Sequence, residues 1–372
     1  MDKYFVDDIR TSKAMMVKAV AIPLCVVTLT ISHLIAEVGG IQPHQYVVSN
    51  KLFPVLFESK RVLVVRKPHG IGHHDESSSS TVLNDDNQGD DDYISPGVIR
   101  LLRNERHRET LEEGERLYGV HRLDKVTSGI LVLAKDASTA SALSDFFARG
   151  DIQKIYFGLS TKKPKKKKQG LVQGGMKRSR NKSWKLIRAP KAGTKSQDMF
   201  AKTRFFTTGL NSINIMRDGG TNDTSNIDPT ATAKTVVMFR PYTGRTHQLR
   251  VAAKAMGIPL LGDPIYKDGS AGNGIDSDDP WFPATRTMLH ASGIHIPKFL
   301  DHEEINIWCP PTFFHDDEEK LSDGLPQDDA FDTRKSRSLL ADALGVAVAN
   351  LMTKNCDVPG ILEAMTTDPT RY

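Results

Sequence analysis

Cysteine is scarce in this chain. Cys25, Cys309 and Cys356 are the three among 372 residues, and none is set in a C-x-x-C spacing. That excludes a disulfide framework and a cysteine-rich zinc site, and it points to a reducing, intracellular setting. No glycine-rich nucleotide-binding fingerprint is present, so no nucleotide cofactor is expected. His73-His74-Asp75 has the composition of a metal site, but no second cluster stands at ligand spacing, and a solvated loop with no metal is expected. Long apolar runs are also nearly missing. Ala19 to Ala36 carries no formal charge, yet Pro23, His33 and its Ser/Thr content interrupt it. Asp2, Asp7 and Asp8 do not suit a signal peptide or an organellar presequence, so a packed segment is expected ahead of a membrane anchor. Cytoplasmic, organellar and nuclear locations all stay open.

What is present is charge, unevenly laid out. The net charge is +5. From Lys162 to Arg204 sixteen Lys/Arg face a single acid, Asp198, so this stretch carries +15 and the remainder −10, much of it in 75–92 and 316–332. A basic stripe in an otherwise acidic chain predicts a polyanionic partner met on one face. Lys162 to Lys168 reads as a solvated loop that can touch phosphates without reading sequence, and Lys177, Arg178 and Arg180 extend it beside Trp184.

Local patterns predict mixed α and β structure. Val55–Phe57 and Val62–Val65 read as a hairpin, broken by Lys67-Pro68. Residues 99–113 read as a charged helix. Asp136 is placed to cap a helix carrying Ala140, Leu143, Phe146 and Phe147 on one face. Gln153–Leu159 and Lys202–Phe206 read as strands, and Thr246 opens a helix with Leu249, Ala253 and Met256 inward. Leu260-Leu261-Gly262-Asp263-Pro264 reads as an architectural turn, and Met288 to Pro297 as a terminal strand. Ser336 to Met352 forms an amphipathic helix expected to pack on the domain.

Two blocks carry chemistry. His121-Arg122-Leu123-Asp124-Lys125-Val126-Thr127-Ser128-Gly129 crowds ionisable groups against the buried run Ile130–Ala134. Such charges are costly to desolvate unless each is partnered. An isolated Arg-x-Asp is more often a loop salt bridge, but an Asp held beside an Arg is also a candidate nucleophile or base. The second block, Gly244-Arg245-Thr246-His247-Gln248-Leu249-Arg250, stands at a strand-to-helix turn. Taken alone, Arg250 is a surface helix arginine.

With Lys67-Pro68-His69-Gly70 and Lys154-Ile155-Tyr156, these blocks resemble, in order, the signatures of the RluA-like RNA pseudouridine synthases. The likeness runs from about Leu52 to Pro311. One departure is Ala252, where the family carries histidine. The resemblance implies an α+β fold, a large mixed, mainly antiparallel sheet with a central cleft and flanking helices. It implies a catalytic domain over 52–315 with a basic insertion at about 161–200, preceded by an extension (1–51) and followed by an acidic linker and C-terminal helix (316–372). It further implies an isomerase acting on uridine in ribosomal or transfer RNA. Asp124 is the implied catalytic residue, Tyr156 the base-stacking tyrosine, Arg250 the partner of the carboxylate and Arg122 the residue that replaces a flipped nucleotide. His121, Arg245, His247, Lys177, Arg178 and Arg180 are expected to touch RNA. The working form is expected to be a cofactor-free monomer away from membranes. A non-catalytic RNA-binding protein of the same fold, and a nucleoside hydrolase using Asp124, are the competing readings.

Overall fold

Runs of β-branched and aliphatic residues separated by polar turns assemble into one large sheet. The computed structural model describes residues 52–77, 94–110, 116–165, 167–180, 183–188, 199–210, 235–266, 286–311, 313 and 327–367. The described residues belong to one compact unit within 51–372. The expected N-terminal extension lies outside the described residues, as do 78–92, the polar stretch 217–234 and residues 316–326.

The elements are β1 (Val55–Glu58), β2 (Val62–Lys67), β3 (Glu76–Ser77), β4 (Ile94–Ser95), α1 (Val98–Thr110), β5 (Tyr118–Gly119), β6 (Ser128–Ala134), α2 (Ala137–Arg149), β7 (Gln153–Ser160), β8 (Gln169–Arg178) and β9 (Trp184–Ile187). They continue with β10 (Phe200–Gly209), β11 (Thr235–Pro241), α3 (Gln248–Ala255), β12 (Leu289–Ile296), β13 (Ile305–Trp308), α4 (Gln327–Asn355) and α5 (Pro359–Thr367). Nine strands run β1-β2-β6-β12-β7-β11-β10-β8-β9, with β13 beside β12 and β5 beside β6; β3 and β4 form a separate pair. The β6–β12 ladder is parallel and the other ladders are antiparallel. The α+β class and the mixed, mainly antiparallel sheet are therefore as the sequence implied.

Alternation along the strands sorts the helices to the two faces. On β11, Val236 and Met238 face α4 and α5, where Leu344, Val348, Leu351, Met352 and Ile361 cover them. Val237 and Phe239 face the opposite way, onto Leu249 and Ala253 of α3. The first strands pack on α1 and α2 through Leu63, Val65, Leu102, Leu131, Leu133 and Leu143. Asp136 caps α2 as expected, its carboxylate accepting from Thr139 N at 2.8 Å, an arrangement that contributes about 1 kcal/mol.

Three expectations need correction. Met288–Pro297 is no terminal strand: β12 sits in the middle of the sheet, between β6 and β7. The basic stretch does not merely interrupt the domain, because β8 and β9 extend the main sheet beyond β10. Charge masks the strand pattern there, and Gly174 reveals it, since a Cβ would stand 2.4 Å from Ile187 O on the neighbouring strand. The acidic stretch 316–332, expected as linker, is helical from residue 327, where α4 begins. No helix among the described residues is long and apolar enough to cross a membrane.

Candidate active site

One cross-strand row collects the residues of the site. Lys67 on β2 pairs with Gly129 on β6, Gly129 with Ala291 on β12, Ala291 with Tyr156 on β7, and Tyr156 with Phe239 on β11. Residues of one row project to the same face, so Lys67 and Tyr156 face the same side although 89 positions separate them in sequence. Gly129 makes the row possible. Its φ is +110°, and a Cβ there would lie 2.3 Å from Ala291 O. Only glycine tolerates both conditions.

Asp124 precedes this row on the β5–β6 connection. Its backbone opens a tight turn, closed by Thr127 N donating to Asp124 O at 3.0 Å. Lys67 fastens that turn from beneath: its Nζ donates to Thr127 O at 2.9 Å and to Pro68 O at 2.6 Å. The ammonium is 1% exposed. Burial pulls it down to about 7, against a smaller upward pull from the Asp124 charge. Gly70 N, donating to Lys125 O at 2.7 Å, adds a second tie. The Lys67-Pro68-His69-Gly70 block is thus the bed on which the Asp124 turn rests.

The other wall is α3. His247 starts it in the left-handed region (φ 57°), and Gln248 locks it down. The Gln248 amide accepts from Thr243 Oγ1 and Arg245 N at 2.8 and 2.9 Å and donates to Thr203 Oγ1 at 2.8 Å. Arg250, two residues on, is carried inward. Its Nε and Nη2 donate to the two oxygens of Asp263 at 2.7 and 2.8 Å, and its Nη1 donates to Asp124 Oδ2 at 3.2 Å. Side-chain exposures of 3% for Arg250, 0% for Asp263 and 17% for Asp124 give the order of the layers. Asp263 is the buried anchor, Arg250 the bridge and Asp124 the most exposed of the three. Burial alone would lower the Arg250 guanidinium, but its hydrogen bonds and ion pairs with Asp263 and Asp124 raise it overall.

Asp263 also accepts from the backbone amides of Ile265 and Tyr266, both at 2.9 Å. The Gly-Asp-Pro turn read as architecture therefore supplies a site residue. The one clue in the sequence was a lone acid inside the apolar run Pro259–Tyr266. Tyr266 was missed as well. Its ring lies 5.1 Å from the Arg250 guanidinium, and its hydroxyl meets His247 Nδ1 at 2.9 Å and accepts from Trp184 N at 2.8 Å.

Tyr156 is half-buried between two core clusters. Burial, and next the Asp124 charge, push its phenol well above the ordinary tyrosine value, so it stays protonated at neutral pH. Arg122 is exposed beside the turn, and its charge reaches His73 and His247. Arg245 is half-buried, with Nε donating to Phe200 O at 3.1 Å. Lys177, Arg178 and Arg180 are exposed on the β8–β9 hairpin, where Arg178 pairs with Trp184. The Trp184–Tyr266 bond ties that hairpin to the site.

His121 stands three residues before Asp124 on the same connection. Its Nε2 accepts from Val132 N at 2.9 Å, and its ring stacks on Phe147 with centroids 4.4 Å apart. Burial, and then the nearby Lys154, lower it to about 3. The half-buried ring is neutral and uses its Nε2 and one face inward. His73 and His74 stack edge to face at 4.7 Å, and among the described residues no three His, Cys, Asp or Glu side chains are grouped as a metal ion needs.

Comparison with known proteins identifies the family. Residues 61–255 match the family model for RNA pseudouridylate synthase. An uncharacterized RNA pseudouridine synthase of Haemophilus influenzae is 35% identical over 206 residues, covering 54% of this chain and 75% of that protein. A ribosomal large subunit pseudouridine synthase C of Pasteurella multocida is 29% identical over 262 residues, covering 69% and 64%. Among solved structures, human RNA pseudouridylate synthase domain containing 4 aligns with a TM-score of 0.47 at 20% identity, over 76% of this chain and 92% of its own. The chain belongs to the RNA pseudouridylate synthase family, as the four ordered blocks of its sequence implied.

Proposed function

We propose that this protein isomerises uridine within folded ribosomal or transfer RNA, with Asp124 as the catalytic carboxylate. The observation that carries the reading is the layered set Asp263–Arg250–Asp124. A buried guanidinium is held rigidly by one carboxylate and offers its remaining nitrogen to another at the cleft. That arrangement restrains the Asp124 carboxylate through its Oδ2, as a group that must meet one atom of a substrate requires.

The reaction breaks the bond between N1 of uracil and C1′ of ribose, turns the base, and joins C5 to C1′. The hydrogen on C5 leaves as a proton and N1 regains one. No electron is gained or lost and no second molecule is consumed, so the chemistry needs no cofactor. Attack by Asp124 on the sugar, attack on the base, and removal of a ribose proton all need the carboxylate beside the C1′–N1 bond and away from bulk water. Tyr156, protonated and on the same face of the sheet, stacks on the base and offers a proton donor. Arg250 holds the carboxylate in place.

A stacked nucleotide cannot reach a cleft carboxylate, so it must be extruded at a cost of a few kcal/mol. Arg122, exposed next to Asp124, is suited to the vacated space because a planar guanidinium stacks and forms paired hydrogen bonds. Lys177, Arg178 and Arg180 contact phosphates flanking the target. The name of the Pasteurella multocida relative, a ribosomal large subunit enzyme, favours ribosomal RNA as the first substrate to try.

The test is tritium release from in vitro-transcribed ribosomal and transfer RNAs labelled at C5 of uridine. Pseudouridine formation liberates one tritium per turnover. Binding of those RNAs without release would favour the non-catalytic reading, and liberation of free uracil with its tritium retained would favour a nucleoside hydrolase.

A further inference from the structure

The shortest ladder on the central path of the sheet lies directly under the site. The parallel β6–β12 ladder has two residue pairs, His290 with Ser128 and Ala291 with Gly129. By contrast β2–β6 has six and β10–β11 seven. The strand path from the Asp124 turn to Tyr156 crosses this joint, while Arg250 reaches the carboxylate from the other side. Asp124 and Ser128 are the two ends of one closed turn and its exit, while Tyr156 hangs from Ala291 on the other side.

A side-chain bond spans the joint. Ser128 Oγ and His290 Nδ1 are 2.9 Å apart, and His290 Nε2 lies 3.4 Å from Cys309 Sγ. The row that holds Ser128 and His290 continues to Phe157 and Met238, which face α4 and α5, so this network is on the face of the sheet behind the cleft. It touches no substrate. Ser128 is 4% exposed and His290 0%. Burial, and then the charge of Arg286, lower the imidazole to about 3, so it is neutral, with one N–H and one lone pair. Serine and cysteine can each donate or accept, so both ring nitrogens are satisfied in either tautomer. Nothing in the chemistry above requires a histidine here, and an aliphatic residue would suit an otherwise apolar face.

We propose that His290 is a positioning residue, which through Ser128 holds the short β6–β12 seam in register and so sets the Asp124 turn against Tyr156. The inference rests on Asp124 being the catalytic group. A small slip of β6 along β12 would carry the turn with it, while Arg250 and the basic β8–β9 hairpin, which stand on other elements, would stay where they are. Loss of the bond should therefore slow the chemical step and leave RNA affinity alone.

The experiment uses the full chain and in vitro-transcribed large-subunit ribosomal RNA labelled with tritium at C5 of uridine. Single-turnover release and RNA affinity are measured for wild type, Ser128→Ala, His290→Leu, His290→Asn and the Ser128→Ala/His290→Leu pair. Ser128→Ala and His290→Leu should each slow release by about 10- to 100-fold, with RNA affinity within about twofold of wild type. His290→Asn, whose side-chain amide can replace Nδ1, should recover to within about threefold of wild type, and the double variant should be no slower than His290→Leu. Ser128→Ala changes one hydroxyl and so decides the matter even if His290→Leu does not fold. Ser128→Ala releasing at the wild-type rate, or His290→Asn as slow as His290→Leu, would overturn the proposal. So would parallel losses of rate and RNA affinity. If the wild-type protein itself releases no tritium from any RNA, the reading of the function has failed, which the wild-type control separates from a failure at His290.

Discussion

Replacing Asp263 by asparagine tests the layered site most sharply, because it removes one charge while keeping the shape. The carboxylate is fully buried and accepts four hydrogen bonds: two from Arg250 and two from the amides of Ile265 and Tyr266. An asparagine oxygen in place of Oδ1 can keep three of them. Its NH2 group then faces Arg250 Nε, donor against donor. The 3%-exposed guanidinium is left with Asp124 as its one counter-charge, at 3.2 Å. Removing one partner of a buried ion pair costs about 3–5 kcal/mol, and that is the loss expected for Asp263→Asn. Asp124→Asn differs: Asp124 is 17% exposed, and Arg250 keeps its paired bonds to Asp263. Its cost should stay below about 1 kcal/mol. Asp263→Asn should also lower the rate by about 100-fold, because a guanidinium no longer fixed allows the Asp124 carboxylate to wander by an ångström or so. Urea unfolding followed by tryptophan fluorescence gives the stabilities, and tritium release gives the rates. An Asp263→Asn protein within about 1 kcal/mol of wild type would refute the claim that Asp263 anchors the site.

Four further outcomes follow from the same geometry. Lys67 titrates near 7 in the folded chain against 10.5 when unfolded, so between those values the folded state binds fewer protons and stability rises with pH. That contribution is at most about 5 kcal/mol. Lys67→Met should remove this slope, so equal pH dependence of the two unfolding midpoints from pH 7 to 10 would contradict the buried ammonium. Gly129→Ala should fail to accumulate as folded protein or lose more than about 3 kcal/mol, since its Cβ would strike Ala291 O at a backbone angle strained for alanine. A soluble, active variant with wild-type circular dichroism would be incompatible with the described row. Arg122→Ala should slow release from a stem-embedded uridine by about 10- to 100-fold and from an unstructured oligonucleotide much less, the difference reporting extrusion. Lys177, Arg178 and Arg180 changed together to alanine should weaken binding of all RNAs alike and reduce the slope of log affinity against log salt by about 2–3, and an unchanged slope would remove the hairpin from the interface.

Much of this site was legible in the chain because its signatures are local. The turn residues Asp124 to Gly129 and the helix start Arg245 to Arg250 each form a continuous word whose spacing is dictated by one strand end or one helix start. What the sequence hid is what depends on distant partners. Asp263 looked like a turn residue because Arg250, the guanidinium it holds 13 residues upstream, itself read as a surface helix arginine. Lys67 looked like the end of a strand because the carbonyls it binds belong to the Asp124 turn. His121 stands inside the strongest motif, and only coordinates show its ring bonded to Val132 and stacked on Phe147. The place of β12 was equally hidden, since an apolar strand late in the chain carries no mark of insertion between two earlier ones. Strands β8 and β9 were masked by lysine and arginine on a face turned to solvent.

The central claim is that Asp124 performs the chemistry and does not merely complete an ion pair. Its most direct measure is single-turnover tritium release by Asp124→Asn, set beside the affinity of the same variant for the same RNA. The account predicts a rate lower by at least about 1,000-fold with affinity within about threefold of wild type. Release at more than a tenth of the wild-type rate, or a loss of affinity matching the loss of rate, would contradict it.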